Sequence, residues 1–248
     1  MQGGHPMKNI ALIFAGGTGT RMNNLTRPKQ FLELDGRAII IHTLEHFERH
    51  PAIESICVVC LESWMPYLKG LLTRFSITKV CWIVPGGTTG QESIYNGLKA
   101  IHDGVANVDA CAVLIHDGVR PLINETVISD NVACVDRFGS AITVAPAVET
   151  LLTSNEKFEV QNIFNRDCCH FARAPQSFFL SDIWEAHQKA RADGINNMID
   201  SACLMKHYGY SLRMVKGPIE NIKITTPMDF FLFKAIYETR QNSQVFGI

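Results

Sequence analysis

Between residues 9 and 145, short apolar runs alternate with stretches of helical period, and that alternation restricts the fold more than any other feature of the chain. The runs 9–14, 53–60, 79–84, 111–116 and 140–145 read as strands; 38–49, 63–74, 91–102 and 124–137 read as helices. Strand–helix repetition joins neighbouring strands in parallel through helical crossovers, so it predicts an α/β fold with a doubly wound, mostly parallel sheet. Ile10-Ala-Leu-Ile-Phe14, apolar throughout, suits a strand covered on both faces. Ligands of such sheets bind beyond the carboxyl ends of the strands.

The first strand runs into Ala15-Gly-Gly-Thr-Gly-Thr-Arg21, and Arg27-Pro28-Lys29-Gln30 follows. Gly16, Gly17 and Gly19 let backbone amides approach an anion without interference from a Cβ. Arg21 and Lys29 add fixed positive charge, with Pro28 restricting the backbone before the lysine, and the whole reads as a triphosphate cradle. It is not a Walker loop, since no Lys-Ser/Thr pair follows the glycines. A dinucleotide fingerprint is excluded too, because Met22 occupies the position of the third small residue. Gly86-Gly87 follows the third strand and His116-Asp117-Gly-Val-Arg120-Pro121 ends the fourth. Asp117, at a strand tip, is placed either to bind Mg²⁺ bridging phosphate oxygens or to cap a turn. Ser93 either touches a nucleotide or occupies the first turn of a helix. Arg120, Arg166 and Lys223, distant in sequence, are candidates for a second anion site.

At 248 residues and 46% hydrophobic content the chain supports one α/β domain. A formal charge of −1 gives no global field for nucleic acid or an anionic membrane, so any phosphate affinity is local. No apolar run approaches the roughly 18 residues of a membrane span, and the start lacks the charged-then-apolar pattern expected of a signal peptide. Met1–Pro6 are expected to be a remnant or disordered, with Met7 the natural start and the domain covering 7–248. The eight cysteines sit largely in apolar runs, pointing to a reducing cytoplasm. Cys57 and Cys60, three apart in a strand, face opposite ways, which argues against a redox pair. His42, His46 and His50 share one helix face that reads as solvated, although the spacing is open to metal binding.

Residues 148–166 change character, with polar turn residues 154–157 between extended flanks: a hairpin arm whose missing burial a second subunit would supply. Ser211–Val215 reads as a further strand, and Pro227 as the start of a final helix.

These motifs together resemble the cytidylyltransferases that make CDP-alditols: the methylerythritol-phosphate enzymes of isoprenoid synthesis and the ribitol-5-phosphate enzymes of teichoic acid synthesis. Pro175-Gln176-Ser-Phe and Asn221-Ile-Lys223-Ile-Thr complete the set, which spans nearly the whole chain. The resemblance implies a Rossmann-like fold of the nucleotide-diphospho-sugar transferase type, a homodimer joined through the protruding β-arm, and Mg²⁺-dependent reaction of CTP with an alditol phosphate. It implies that Arg21 and Lys29 stabilise the α-phosphate during transfer and that Asp117 binds the metal. Ala15, Gly16, Gly87 and Ser93 match cytidine-binding positions, while Arg120, Thr150, Arg166, Asp200 and Lys223 match positions around the acceptor, some reaching across the dimer.

Four positions depart from the pattern: Thr88 for an acidic residue, Gly90 for an arginine, Ala174 for a threonine and Ile199 for a threonine. These changes touch nucleotide and acceptor contacts and leave Arg21, Lys29 and Asp117 in place. The Ala-Gly-Gly-Thr-Gly-Thr form favours D-ribitol 5-phosphate as acceptor. The alternatives are the methylerythritol 4-phosphate enzyme, a nucleotide-binding regulatory protein with reduced turnover, and a nucleotidyltransferase acting on sugar 1-phosphates.

Overall fold

A computed structural model of the chain describes residues 7–16 and 27–246. The strands are β1 (Lys8–Ala15), β2 (Glu33–Leu34), β3 (Arg37–Ala38), β4 (Ser55–Cys60), β5 (Val80–Pro85), β6 (Cys111–Asp117), β7 (Ser140–Pro146), β8 (Leu152–Ser154), β9 (Val160–Ile163), β10 (His170–Phe179) and β11 (Met214–Lys216). The helices are α1 (Ile39–Arg49), α2 (Met65–Arg74), α3 (Gly90–Gly104), α4 (Glu125–Phe138), α5 (Leu180–Ala192), α6 (Ser201–His207) and α7 (Pro227–Phe246). Seven strands form one sheet in the order β11-β7-β10-β6-β1-β4-β5. Within it β10 alone is antiparallel, lying between β6 and β7.

Alternation along β1 and β4 divides the core into two layers. Ala11, Ile13, Val58 and Cys60 pack with α1, α2 and α4 on one face; Ile10, Leu12, Cys57 and Val59 pack with α3, α5 and α6 on the other. Cys57 and Cys60 therefore face opposite cores, and burial pushes their thiols up to about 12 and about 11. All eight cysteines are free. The alternating elements read from the sequence are all present, with ends shifted by a residue or two. Pro66 lies in the first turn of α2, and Asn124 caps α4 by accepting from Val127 N.

The arm forms its own two-stranded sheet, β8 with β9. Phe158 is 92% exposed at its tip, and Leu152, Val160 and Ile163 are exposed along it. No helix among the described residues is long and apolar enough to cross a membrane.

The histidine face of α1 corrects the solvated reading. His42 and His50 are buried, and each of the three ring Nε2 atoms has a partner: Leu34 O for His42, Pro121 O for His46 and Ser129 Oγ for His50, at 3.1, 3.1 and 3.0 Å. Helix α1 lies against the 118–122 segment and α7, so these imidazoles join elements. Among the described residues no group of three or more His, Cys, Asp or Glu side chains is arranged to hold a metal.

Burial pushes His116 down to about 3 and His187 to about 4, so both are neutral in the fold. An unfolded imidazole titrates near 6.5, and the unfolded state therefore takes up protons first as pH falls. The stability these sites contribute is complete above pH 6.5 and drains toward their folded values. Each removes about 2 kcal/mol between pH 7 and pH 5, about 4 kcal/mol together, against a typical total of about 5–15 kcal/mol. Urea unfolding at the two pH values should show that loss; a flat profile would contradict the neutral, buried state of both rings.

Candidate active site

The carboxyl ends of β1, β4, β5 and β6 meet where two glycine segments cross. Gly86 N donates to Cys60 O at 2.9 Å, which brings the Gly86-Gly87 loop across the end of β1. A Cβ on Gly16 would lie 3.3 Å from Gly86 Cα and 3.2 Å from Ser93 Oγ, so the crossing is packed to the backbone. Ser93 fastens it: its Oγ accepts from Gly87 N at 3.0 Å and donates to Thr89 O at 2.9 Å. Its structural role is thus visible, on the rim where a nucleotide contact is expected. Thr89 caps α3 by accepting from Glu92 N, and the Glu92 carboxylate takes both the amide and the hydroxyl of Thr88.

Lys29 opens a 3-10 turn, Lys29–Phe31, and is half-buried. Gln30 Nε2 donates to Ala15 O at 2.6 Å, fastening this turn to the end of β1, and Phe31 is fully buried against Trp64 with ring centroids 4.9 Å apart. These two anchors hold Lys29 beside the glycine segment. Gly17, Gly19 and Arg21 lie outside the described residues.

At the tip of β6, Asp117 is 5% exposed and carries two cations. Its Oδ2 accepts from Arg120 Nε and its Oδ1 from Lys223 Nζ, both at 2.6 Å. Burial pushes the carboxyl upward, but the charges and hydrogen bonds of Arg120 and Lys223 outweigh it and hold the group at about 2. Arg120 Nη1 also donates to Asn221 O at 2.8 Å. The buried Asn221 amide donates to Ala174 O at 2.7 Å, and Ile224 N donates to Val119 O at 2.9 Å, which brings Lys223 onto Asp117. His116 Nε2–H donates to Arg120 O at 3.2 Å and so holds the same turn.

A cavity of about 330 Å³ opens beside this cluster, lined by Asp117, Arg120, Lys223 and Asp200, together with Arg173 and Ile199. Asp200 caps α6: its Oδ1 accepts from Cys203 N and its Oδ2 from Gln176 Nε2. Thr150 and Arg166 are exposed on the arm and do not line the cavity of their own chain; Arg166 Nη1 reaches Val148 O at 3.5 Å. Gly90 lines the cavity with open space where a Cβ would stand, and Ile199 is 91% exposed at its rim.

Sequence reasoning missed three residues that shape this site. Asn221 was read only as part of a motif, although a buried amide between two charged-site segments is a positioning group. Gln176 links β10 to α6, its Oε1 accepting from Ala202 N at 2.8 Å. Gln91 ties α3 to the α5–α6 loop through Ile195 O and Met198 N. Gln176 stands in the sequence only as part of the Pro175-Gln176-Ser-Phe motif and Gln91 carries no local signal; the partners of both lie far away in sequence.

Comparison with known proteins follows the same outline. The IspD family model, described as 2-C-methyl-D-erythritol 4-phosphate cytidylyltransferase, matches residues 9–239. A ribitol-5-phosphate cytidylyltransferase of Vibrio parahaemolyticus is 53% identical over 96% of this chain and 100% of its own length. A 2-C-methyl-D-erythritol 4-phosphate cytidylyltransferase of Clostridium botulinum is 34% identical over 93% of this chain and 98% of its own. The crystal structure of 4-diphosphocytidyl-2C-methyl-D-erythritol synthase from Anaerococcus prevotii superposes with a TM-score of 0.79 at 26% identity, covering 94% of this chain and 96% of that one.

Proposed function

The chain belongs to the IspD family of cytidylyltransferases, and on that premise we propose that it joins CTP to D-ribitol 5-phosphate, giving CDP-ribitol and pyrophosphate. The observation that carries this reading is the paired set at the strand ends: a glycine crossing able to receive a triphosphate, next to a cavity with cations for a second phosphate. The choice of ribitol follows the relatives, 53% identity to a ribitol-5-phosphate enzyme against 34% to a methylerythritol one.

An oxygen of the acceptor phosphate attacks the α-phosphorus of CTP; the new P–O bond forms as the bond to pyrophosphate breaks, and pyrophosphate leaves. The acceptor phosphate carries about −1.5 to −2 charges at neutral pH, so no general base is needed. The chain's task is to bring two anions together and to stabilise charge on the α-phosphate. Backbone amides around Gly16, Gly17, Gly19 and Gly87 receive the nucleotide with Ala15 and Ser93, Arg21 and Lys29 grip the α-phosphate, and Arg120, Lys223 and Asp200 receive the acceptor. The arm, whose apolar residues are exposed in a single chain, would pack on a second copy and carry Thr150 and Arg166 to that copy's site.

The donor set at Asp117 fits Mg²⁺. The ion commonly takes one or two carboxylates and completes its shell with phosphate oxygens and water. Asp117 is ionised, and its Oδ1 partner Lys223 has a side chain 40% exposed and able to move away. Bound there, Mg²⁺ would supply charge neutralisation to the triphosphate.

Pyrophosphate release from CTP, followed in parallel with D-ribitol 5-phosphate and methylerythritol 4-phosphate, tests the assignment. The expected result is a kcat/KM about 10-fold or more in favour of ribitol 5-phosphate. Preference for methylerythritol 4-phosphate would move the chain to the other branch. CTP binding without release for either acceptor would leave a regulatory protein.

A further inference from the structure

Strand β10 brings Arg173 into the cavity beside Arg120 and Lys223. It lies where β10 and β7 lose register, between Ala172 and Gln176. Its Nε is buried and has no hydrogen-bond partner. Burial, and after it the charge of Arg120, both press on its ionisation, yet a guanidinium stays charged at any pH a protein meets. The carboxylates of the cavity are committed elsewhere, Asp117 to Arg120 and Lys223, Asp200 to Gln176 and Cys203. An unpaired buried donor on a cation, set near a second cation, is costly in the ligand-free chain and is relieved by an anion binding against both.

We propose that Arg173 is a further substrate-binding residue, donating to the acceptor's phosphate alongside Arg120 and Lys223 and setting the requirement for a phosphorylated acceptor. Neutral polyol hydroxyls would fill the donor but leave the charge of Arg173 uncompensated beside Arg120, whereas a phosphate answers that charge and matches the planar guanidinium fork. This inference rests on the reading of the chain as an alditol-phosphate cytidylyltransferase.

Full-length Arg173→Gln and Arg173→Lys variants test it by steady-state kinetics, with calorimetric titration of D-ribitol 5-phosphate, unphosphorylated ribitol and inorganic phosphate. Loss of one hydrogen bond to a charged group predicts a KM for ribitol 5-phosphate raised about 10- to 100-fold in Arg173→Gln. The KM for CTP should stay within about 2-fold, and Arg173→Lys should recover part of the loss because it keeps the charge. An unchanged acceptor KM, an equal rise in both KM values, or dissociation of an oligomer in both variants would overturn the proposal. Should the unaltered chain release no pyrophosphate with any alditol phosphate, the activity reading falls by itself. Titration with inorganic phosphate then decides: weaker binding in Arg173→Gln supports the anion role, and unchanged binding rejects it.

Discussion

Lys29→Ala is expected to lower turnover about 10²- to 10³-fold with thermal stability nearly unchanged. The rate loss is that of removing one preorganised donor to charge that builds only in the transition state. Stability should hold because the turn carrying Lys29 is fixed by other groups: Gln30 on Ala15 O and the buried Phe31 ring against Trp64. Both anchors survive the substitution. Since the lost contact strengthens during transfer, the fall should appear in kcat more than in the KM for CTP. Single-turnover kinetics with calorimetric melting separates rate from folding. Near-normal turnover would remove Lys29 from the mechanism.

Asp117→Asn is expected to damage both stability and activity. It leaves the buried Arg120 and the half-exposed Lys223 facing a neutral amide, and removing one partner of a buried ionic set typically costs about 3–5 kcal/mol. For a chain of this size that is a fall in Tm of roughly 6–20 °C. The sign of the pH dependence is fixed by the depressed carboxyl. With a folded value of about 2 against 3.8 unfolded, its contribution is present above about pH 3.8 and lost as pH falls through 2. The variant's deficit should therefore be undiminished from pH 8 to pH 5. Denaturant titration across that range checks it; a loss below about 1 kcal/mol would mean that the two cations are satisfied without Asp117.

Much of the fold was legible because local period and global topology agree from residue 9 to residue 145. Apolar strands, helix caps such as Asn124 and the proline of α2 all point the same way. What escaped was β10 with the two helices that follow it directly, α5 and α6. His170–Phe179 contains Pro175, and a proline inside a run argues against a central strand. The sheet accommodates it because pairing with β7 shifts register between Ala172 and Gln176, so the missing N–H falls outside the ladder. Helix α6 is short, and its start is fixed by Asp200 and by Gln176 from a distant strand, which no local pattern reveals.

The site was legible as separate motifs rather than as a constellation. Gly16, Gly86 and Ser93 meet only through the strand order, and Lys223 reaches Asp117 because Asn221 is tied to Ala174 and Ile224 to Val119. The histidines of α1 were misread for the same reason: the partners that bury them, Leu34, Pro121 and Ser129, come from segments whose approach depends on tertiary packing.

A crystal structure of the chain with CTP shows where the triphosphate binds. The triphosphate should lie over the Gly16–Gly86 crossing, with Lys29 and Arg21 against the α-phosphate and the cavity of Asp117, Arg120 and Lys223 left open for an acceptor. A triphosphate bound away from the strand ends, or Lys29 and Arg21 turned to bulk solvent with CTP in place, would contradict it.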